Sequence, residues 1–177
     1  MIISLIGFMG CGKSSVGRRL SELLCCHFSD LDDVIEEQAG KSIAEIFESD
    51  GEEAFREMEY EALKGIAGKI RSEESANYVM ALGGGTVMRE DCAKIVHDGT
   101  LCIYLRTSVD MLTKNLEGKA DARPMLASGT SLRERIQELH AFRSSTYEKT
   151  AHIIIDTDGQ TVEDLAIRSF HLVHGYL

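Results

Sequence analysis

Residues 2–20 read IISLIGFMGCGKSSVGRRL, and this stretch decides the fold. The apolar run Ile2–Ile6 is typical of a buried strand. It leads directly into Gly7–Ser14, which matches the pattern G-x-x-x-x-G-K-[ST]. Glycines in such a loop let successive backbone N–H groups point inward at an anion, and the helix that follows adds its positive end. Lys13 can then bridge the β- and γ-phosphates of a nucleotide, and the Ser14 hydroxyl is the expected Mg²⁺ ligand. A glycine-rich turn with an exposed lysine is the alternative interpretation.

The composition is that of an ordinary folded chain, and it excludes some functions. The 177 residues are enough for one domain with one core. A formal net charge of -10 argues against a broad nucleic-acid-binding surface, which normally carries a basic excess. The sequence contains no apolar run long enough to span a membrane, so no membrane partner is expected. The N-terminus enters a strand pattern without a basic segment before it, so no secretory signal is expected.

The cysteines favour a reducing compartment. They number five, and no C-x-x-C pair occurs. Bridged scaffolds are usually small, cysteine-rich and secreted, so we expect reduced thiols and a cytoplasmic protein. Cys25 and Cys26 precede His27, which raises the question of a metal site. A structural zinc site needs about four ligands, and the sequence offers no second cluster, so metal binding is not expected there.

Apolar strand patterns alternate with helical patterns along the chain. This alternation predicts an α/β fold, in which helices cover both faces of a parallel sheet. The predicted strands are Ile2–Ile6, His27–Asp30, Tyr78–Leu82, Leu101–Leu105 and His152–Asp156. Ligands of such sheets bind at the carboxyl ends of the strands. That edge would carry the phosphate loop, Asp30–Asp33, Gly83–Gly85 and the loop after Leu105.

Carboxylates follow the second predicted strand. If the strand continues, Asp30 and Asp32 are two residues apart and face the same way. One carboxylate could support Mg²⁺ through water, because Mg²⁺ keeps several water ligands. The other could accept a hydrogen bond from the hydroxyl of a phosphate acceptor. Asp33 is expected to cap a helix that starts near Val34. The alternative is that all three acids are capping or solvated residues.

Two arginines lie on predicted helices. Arg56 is followed by Glu59 three residues later, so the two side chains can be neighbours. They form either a surface salt bridge or a pair in which Glu59 holds the arginine so that its fork faces a carboxylate. Arg143 follows Phe142 on a long helix, and taken alone it is typical of an exposed helix arginine.

Two further segments have features of a binding site. The polar stretch Glu117–Thr130 contains Arg123 and is long for a loop of a compact domain. Either it is a lid whose arginine closes over a transferring phosphoryl group, or it is a mobile loop with incidental basic residues. Gly83–Gly85 follows the third strand, where three glycines would let a ligand touch the backbone. A plain tight turn is the alternative.

Taken together and in order, six segments resemble the shikimate kinase family along nearly the whole chain. They read GFMGCGKSS, FSDLDDVIEEQAGKSIAEIF, DGEEAFREMEYEAL, ALGGGTVM, ADARPML and AFRSSTY. The first is typical of a whole superfamily, whereas the combination of the others is far more specific. The resemblance implies a three-layer α/β/α phosphate-loop kinase with a five-stranded parallel sheet of order 2-3-1-4-5. It also implies a single domain over residues 1–177 with a mobile lid at approximately 116–130. We expect a monomer.

The resemblance further implies transfer of the ATP γ-phosphate to the 3-hydroxyl of shikimate, on the chorismate route to aromatic amino acids. Lys13, Asp32 and Arg123 would be the catalytic residues. The ATP-binding set would be Gly10, Cys11, Gly12, Lys13, Ser14, Ser15 and Arg123, with Ser14 and Asp30 near Mg²⁺, Asp30 through water. The shikimate-binding set would be Asp32, Arg56, Gly83, Gly84, Gly85 and Arg143. Within it, the two arginines would hold the shikimate carboxylate, and Glu59 would orient Arg56.

The chain departs from the family pattern in two places. Family members often have Arg-Asn-Pro-x-Tyr where this chain has residues 143–147, RSSTY, so the turn after Arg143 is less fixed. They also often carry an adenine-stacking arginine before the lid, where this chain reads Thr113-Lys114-Asn115. The alternatives to a shikimate kinase are a gluconate or nucleoside monophosphate kinase of the same fold, or a nucleotide-dependent switch or inactive binding module. The switch or the binding module would use the phosphate loop without transferring phosphate to an acceptor, and its slow hydrolysis would be indifferent to shikimate.

Overall fold

The computed structural model describes residues 1–72, 77–117 and 131–176. Its strands form one five-stranded sheet in the order β2-β3-β1-β4-β5, and every neighbouring pair is parallel. The strands are β1 (Ile2–Ile6), β2 (His27–Asp30), β3 (Tyr78–Ala81), β4 (Leu101–Arg106) and β5 (Ile153–Asp156). The fold class and strand order predicted from the sequence are therefore confirmed.

Helices connect the strands and cover both faces of the sheet. They are α1 (Lys13–Leu23), α2 (Leu31–Ala39), α3 (Ile43–Ser49), α4 (Gly51–Ser72), α5 (Glu90–Gly99), α6 (Val109–Leu116), α7 (Leu132–Thr150) and α8 (Val162–His174). A short 3₁₀ turn, Thr86–Met88, follows β3. Capping boxes begin α3, α7 and α8, because a Ser or Thr side chain and the acid three residues later satisfy each other's backbone N–H groups.

The core consists of two apolar layers, one on each face of the sheet. Along β1, Ile3 and Leu5 face the layer formed with α1, α6 and α8, whereas Ile2 and Ile6 face the layer formed with α2 to α5. This alternation follows from the two-residue repeat of a strand. Each fully buried aliphatic side chain contributes about 1.5–3 kcal/mol, so the two layers stabilise the sheet whose edge carries the loops.

Strand β2 ends at Asp30, so Asp32 does not lie on a strand. Helix α2 begins at Leu31, and its N-cap is Asp30, whose side chain accepts a hydrogen bond from the backbone N–H of Asp32 at 3.1 Å. The expectations that Asp30 and Asp32 face the same way along a strand and that Asp33 caps the helix were therefore wrong. An aspartate satisfies an N-terminal N–H as soon as the chain can turn, and here the first aspartate of the run does so.

Part of the predicted lid and its arginine, Arg123, lie outside the described residues. Within those residues, no helix combines the length and apolar character that crossing a membrane requires.

Candidate active site

The phosphate loop joins β1 to α1. Gly12 is the N-cap of α1 in the left-handed conformation, with a φ of 93°, and no described side chain caps the helix there. The amides of the first turn are therefore free to face an anion. Lys13 is only 9% exposed, and its ammonium group donates hydrogen bonds to the carbonyl oxygens of Gly7 and Phe8 at 2.9 and 3.0 Å. No described carboxylate pairs with this buried cation, so the loop attracts negative charge.

A cavity of about 550 Å³ opens beside the loop. Most of the residues that were predicted to bind phosphate contribute to its walls. The lining consists of Met9, Gly10, Gly12, Lys13, Ser14, Ser15, Asp30, Asp32, Leu82, Gly83, Gly84 and residues 114–117. Cys11 is not part of this lining, since its thiol is buried and lies 3.7 Å from the Lys13 ammonium nitrogen.

Ser14 and Asp30 meet at the cavity wall. The Ser14 hydroxyl donates to Asp30 Oδ2 at 2.5 Å, while Oδ1 of the same carboxylate caps α2. A hydroxyl oxygen and a carboxylate next to a phosphate loop fit Mg²⁺, which binds few protein oxygens and completes its shell with water and phosphate. No three His, Cys, Asp or Glu side chains in the described ranges are grouped to hold a metal ion. A cation here would thus depend on phosphate oxygens for its affinity.

The three glycines after β3 lie where several residues predicted to bind the acceptor converge. A Cβ atom on Gly83 would lie 2.7 Å from Glu59 Oε1 and 2.9 Å from Asp32 Oδ1. A Cβ atom on Gly85 would lie 2.5 Å from Arg56 Nη1. Side chains on the loop would therefore displace the groups that were predicted to bind shikimate. The tight-turn interpretation does not account for this close approach of charged side chains to the loop.

Arg56 is held from both sides by carboxylates. Its Nη1 donates to Glu59 Oε2 at 2.5 Å, and its Nη2 donates to Glu52 Oε1 at 3.1 Å. Burial opposes the charge of Arg56, but the Glu59 and Glu52 carboxylates outweigh it, so the pKa of Arg56 is raised. Glu59 is only 1% exposed. The pair is therefore anchored in the interior, and the surface salt-bridge interpretation is wrong.

Arg143 is buried, contrary to what its sequence position alone suggested. It is 3% exposed, its Nη1 donates to the Gly84 carbonyl oxygen at 3.3 Å, and its guanidinium carbon lies 5.7 Å from the centre of the Phe8 ring. No described group accepts a hydrogen bond from Nε, and no described carboxylate pairs with the guanidinium. Burying an unpaired charge is costly. This position therefore favours an anionic ligand.

Two contacts around these groups were not predicted from the sequence. Tyr147, which is fully buried, also donates its hydroxyl to the Gly84 carbonyl oxygen. This bond fixes the glycine loop that Arg143 contacts, despite the absence of the family's proline. The Asn115 side chain donates to the Gly10 carbonyl oxygen at 3.0 Å. No local sequence pattern indicates this contact, because the two residues come from distant parts of the chain.

The class of protein follows from this arrangement. A phosphate loop on a parallel sheet of order 2-3-1-4-5, a serine–aspartate pair whose oxygens fit a cation and arginines beside the glycine loop are typical of a phosphate-loop kinase. The shikimate kinase family model matches residues 9–173. The chain belongs to the shikimate kinase family, and it is a phosphotransferase.

Individual relatives and solved structures agree with this assignment. The shikimate kinase of Dictyoglomus turgidum is 37% identical over 168 residues, covering 92% of this chain and 91% of the relative. A shikimate kinase of Thermus thermophilus is 41% identical over 164 residues, covering 92% of this chain and 84% of the relative. The structure of shikimate kinase from Acinetobacter baumannii in complex with shikimate superimposes with a TM-score of 0.90 at 30% identity, covering 99% of this chain and 93% of that chain.

Proposed function

We propose that this protein transfers the γ-phosphoryl group of ATP to the 3-hydroxyl of shikimate, in the presence of Mg²⁺, giving shikimate 3-phosphate and ADP. The buried Arg143 guanidinium, which has no carboxylate partner in the described residues, carries the proposal because it calls for an anionic acceptor. The shikimate in the complex with the Acinetobacter baumannii enzyme is such an acid. The product enters the chorismate route to aromatic amino acids.

The phosphate loop binds and orients the nucleotide. Phosphoryl transfer asks mainly for positioning and charge stabilisation. The uncapped N–H groups at Gly12 and the Lys13 ammonium group supply both for the β- and γ-phosphates. Mg²⁺, when bound near Ser14 and Asp30, offsets charge on the phosphate oxygens. The hydroxyl of Ser14 already points at the Asp30 carboxylate, so that its oxygen lone pairs remain available to a cation.

The acceptor lies across the glycine loop from the nucleotide. Its carboxylate binds between the guanidinium groups of Arg143 and Arg56, for which planar two-pronged donors are well suited. Asp32, whose Oδ1 lies next to Gly83, accepts a hydrogen bond from the reacting hydroxyl and aims it at the phosphoryl group. In this arrangement the acid end and the alcohol end of the substrate are held separately, and the alcohol faces the cavity.

The proposal also covers the lid arginine, the oligomeric state and the cellular compartment. Arg123 closes over the transferring phosphoryl group and stabilises its charge, a role expected of an arginine in a lid. The protein works as a monomer in the cytoplasm without nucleic-acid or membrane partners. Its cysteines are free thiols in the structure, which is compatible with a reducing compartment.

A substrate panel tests the proposal. ADP release is followed with ATP and Mg²⁺ in the presence of shikimate, gluconate or nucleoside monophosphates. Shikimate is expected to stimulate ADP release strongly, and shikimate methyl ester is expected to fail because it lacks the anion that Arg143 requires. Stimulation by gluconate or a nucleotide instead, or ADP release that is indifferent to every acceptor, would overturn the proposal.

A further inference from the structure

Thr86 is linked to Arg56 through one buried carboxylate. Thr86 is the first residue of the 3₁₀ turn and is 1% exposed. Its hydroxyl donates to Glu59 Oε1 at 2.6 Å, and Glu59 Oε2 accepts from Arg56 Nη1 at 2.5 Å. Each oxygen of the carboxylate is therefore used by a different donor. The three side chains form a continuous hydrogen-bonded chain from the glycine loop to the guanidinium.

The hydrogen bond between Thr86 and Glu59 runs from the hydroxyl to the carboxylate. A carboxylate oxygen accepts hydrogen bonds, so the Thr86 hydroxyl is the donor in the bond to Glu59 Oε1. Glu59 is nearly inaccessible to solvent, and a buried carboxylate oxygen without a donor is unfavourable. The backbone N–H of Thr86 donates to the Gly83 carbonyl oxygen at 3.2 Å, so the hydroxyl is held at a fixed place in the glycine turn.

The Thr86 hydroxyl also restricts how the carboxylate can rotate. The terminal torsion of a glutamate side chain has a broad and roughly two-fold profile, so one bond to Arg56 does not define its plane. A second hydrogen bond, from the Thr86 hydroxyl, defines the plane of the Glu59 carboxylate. The other partner of Arg56, Glu52, is about half exposed, and exposed ion pairs hold geometry weakly. The bond to the buried Glu59 therefore determines how the Arg56 guanidinium is oriented beside Gly85.

We propose that Thr86 is a positioning residue for the acceptor carboxylate. Through Glu59 it holds the Arg56 guanidinium beside the glycine loop, and it sets the KM for shikimate without contacting the substrate. This inference rests on the proposed function, since it assigns Arg56 to the acceptor. It concerns the acceptor end of the site only, so it leaves the nucleotide end unchanged.

Isosteric substitutions test the role of the hydroxyl. Thr86→Val removes the donor at constant shape, and we expect the KM for shikimate to rise about five- to tenfold, because a hydrogen bond to a charged group is lost. The KM for ATP should stay within about twofold of wild type, and Thr86→Ser should restore the KM for shikimate. Thr150→Val is the matched control, because it removes another buried hydroxyl, which donates to the Thr146 carbonyl oxygen at 2.8 Å.

A double-mutant cycle separates positioning from a loss of stability. In a Glu59→Gln background, Thr86→Val should change the KM for shikimate little further, because the link to Arg56 is already altered. Melting temperatures of all variants check folding, and Thr86→Ala, which also lacks the hydroxyl, answers the same question if the valine variant does not fold.

The outcomes distinguish the two proposals. An unchanged KM for shikimate in Thr86→Val, equal rises in both KM values, or no rescue by serine would overturn the role of Thr86 while the proposed function stands. A wild-type protein that does not phosphorylate shikimate would overturn both.

Discussion

Arg143 Nη1 donates to the Gly84 carbonyl oxygen at 3.3 Å, yet this arginine has no carboxylate partner among the described residues. Arg56, which contacts the neighbouring glycine, is paired with both Glu52 and Glu59. The two arginines of the proposed acceptor site therefore differ in the charge they can offer. The positive charge of Arg143 is not offset by a described carboxylate. The charge of Arg56 is offset by Glu52 and Glu59, which also hold its guanidinium in place.

This difference predicts unequal effects on substrate binding. Arg143→Ala should raise the KM for shikimate about ten- to hundredfold, as expected for loss of a charged hydrogen bond, and Arg56→Ala should raise it less. Steady-state kinetics with varied shikimate measure both effects. Arg133→Ala is the control, because Arg133 lies on the same helix and pairs at the surface with Asp110. The same KM in Arg143→Ala and wild type would refute the assignment of the carboxylate to Arg143.

The cation site can be tested at Asp30. Asp30→Asn keeps an N-cap acceptor for α2 but removes the charge beside Ser14. We expect the Mg²⁺ concentration for half-maximal activity to rise severalfold, with the KM for shikimate unchanged. The measurement is a Mg²⁺ titration at saturating ATP and shikimate. Asp33→Asn, on the exposed side of the same helix turn, should leave the titration unchanged. If the two variants behaved alike, Asp30 would have no particular role in cation binding.

The contact of Asn115 with the phosphate loop predicts an effect on the nucleotide. The Asn115 side chain donates to the Gly10 carbonyl oxygen and so holds that carbonyl in place. Asn115→Asp replaces the donor with a carboxylate, which repels the carbonyl and the phosphates, and the KM for ATP should rise severalfold. Gln137→Glu, which adds the same charge at an exposed position of α7, is the control. A rise in the KM for shikimate alone would contradict this prediction.

Stability should depend on pH through His152. Its Nδ1 accepts a hydrogen bond from the Cys102 backbone N–H at 3.1 Å, and its ring stacks on His97 with centroids 4.7 Å apart. Partial desolvation of this otherwise exposed ring, together with the neighbouring His97, lowers the pKa of His152 below its ordinary value of 6.5. As the pH falls below 6.5, the unfolded chain takes up the proton first, so the stabilisation present above that pH is lost down to the folded pKa.

Urea unfolding at pH 7.5 and 5.5 measures this loss. His152→Asn offers a side-chain oxygen to the Cys102 N–H but does not titrate, so the free energy of unfolding should fall less between the two pH values than in wild type. His171→Asn, at an exposed position of α8, should behave like wild type. An identical pH dependence in wild type and His152→Asn would show that His152 does not contribute.

The local parts of the fold could be predicted because the residues that determine each of them are neighbours in the sequence. The strand, glycine loop and helix of residues 2–20 follow one another, and each depends on residues a few positions away. The parallel sheet follows because helical segments separate all the apolar strands. One local prediction failed at Asp30, because each of the three aspartates within residues 30–33 can serve as an N-cap and the sequence does not say where the chain turns.

The sequence by itself determined the phosphate loop, the parallel sheet and the residue types available for an acidic acceptor. Only the tertiary structure decided that Arg143 is buried against Gly84, 59 residues away, and that Thr86 bonds to Glu59, 27 residues away. The periodicity of a helix identifies its faces but not what covers them. Burial, and with it the strength of a charge or a hydrogen bond, depends on neighbours that the chain brings together only after folding.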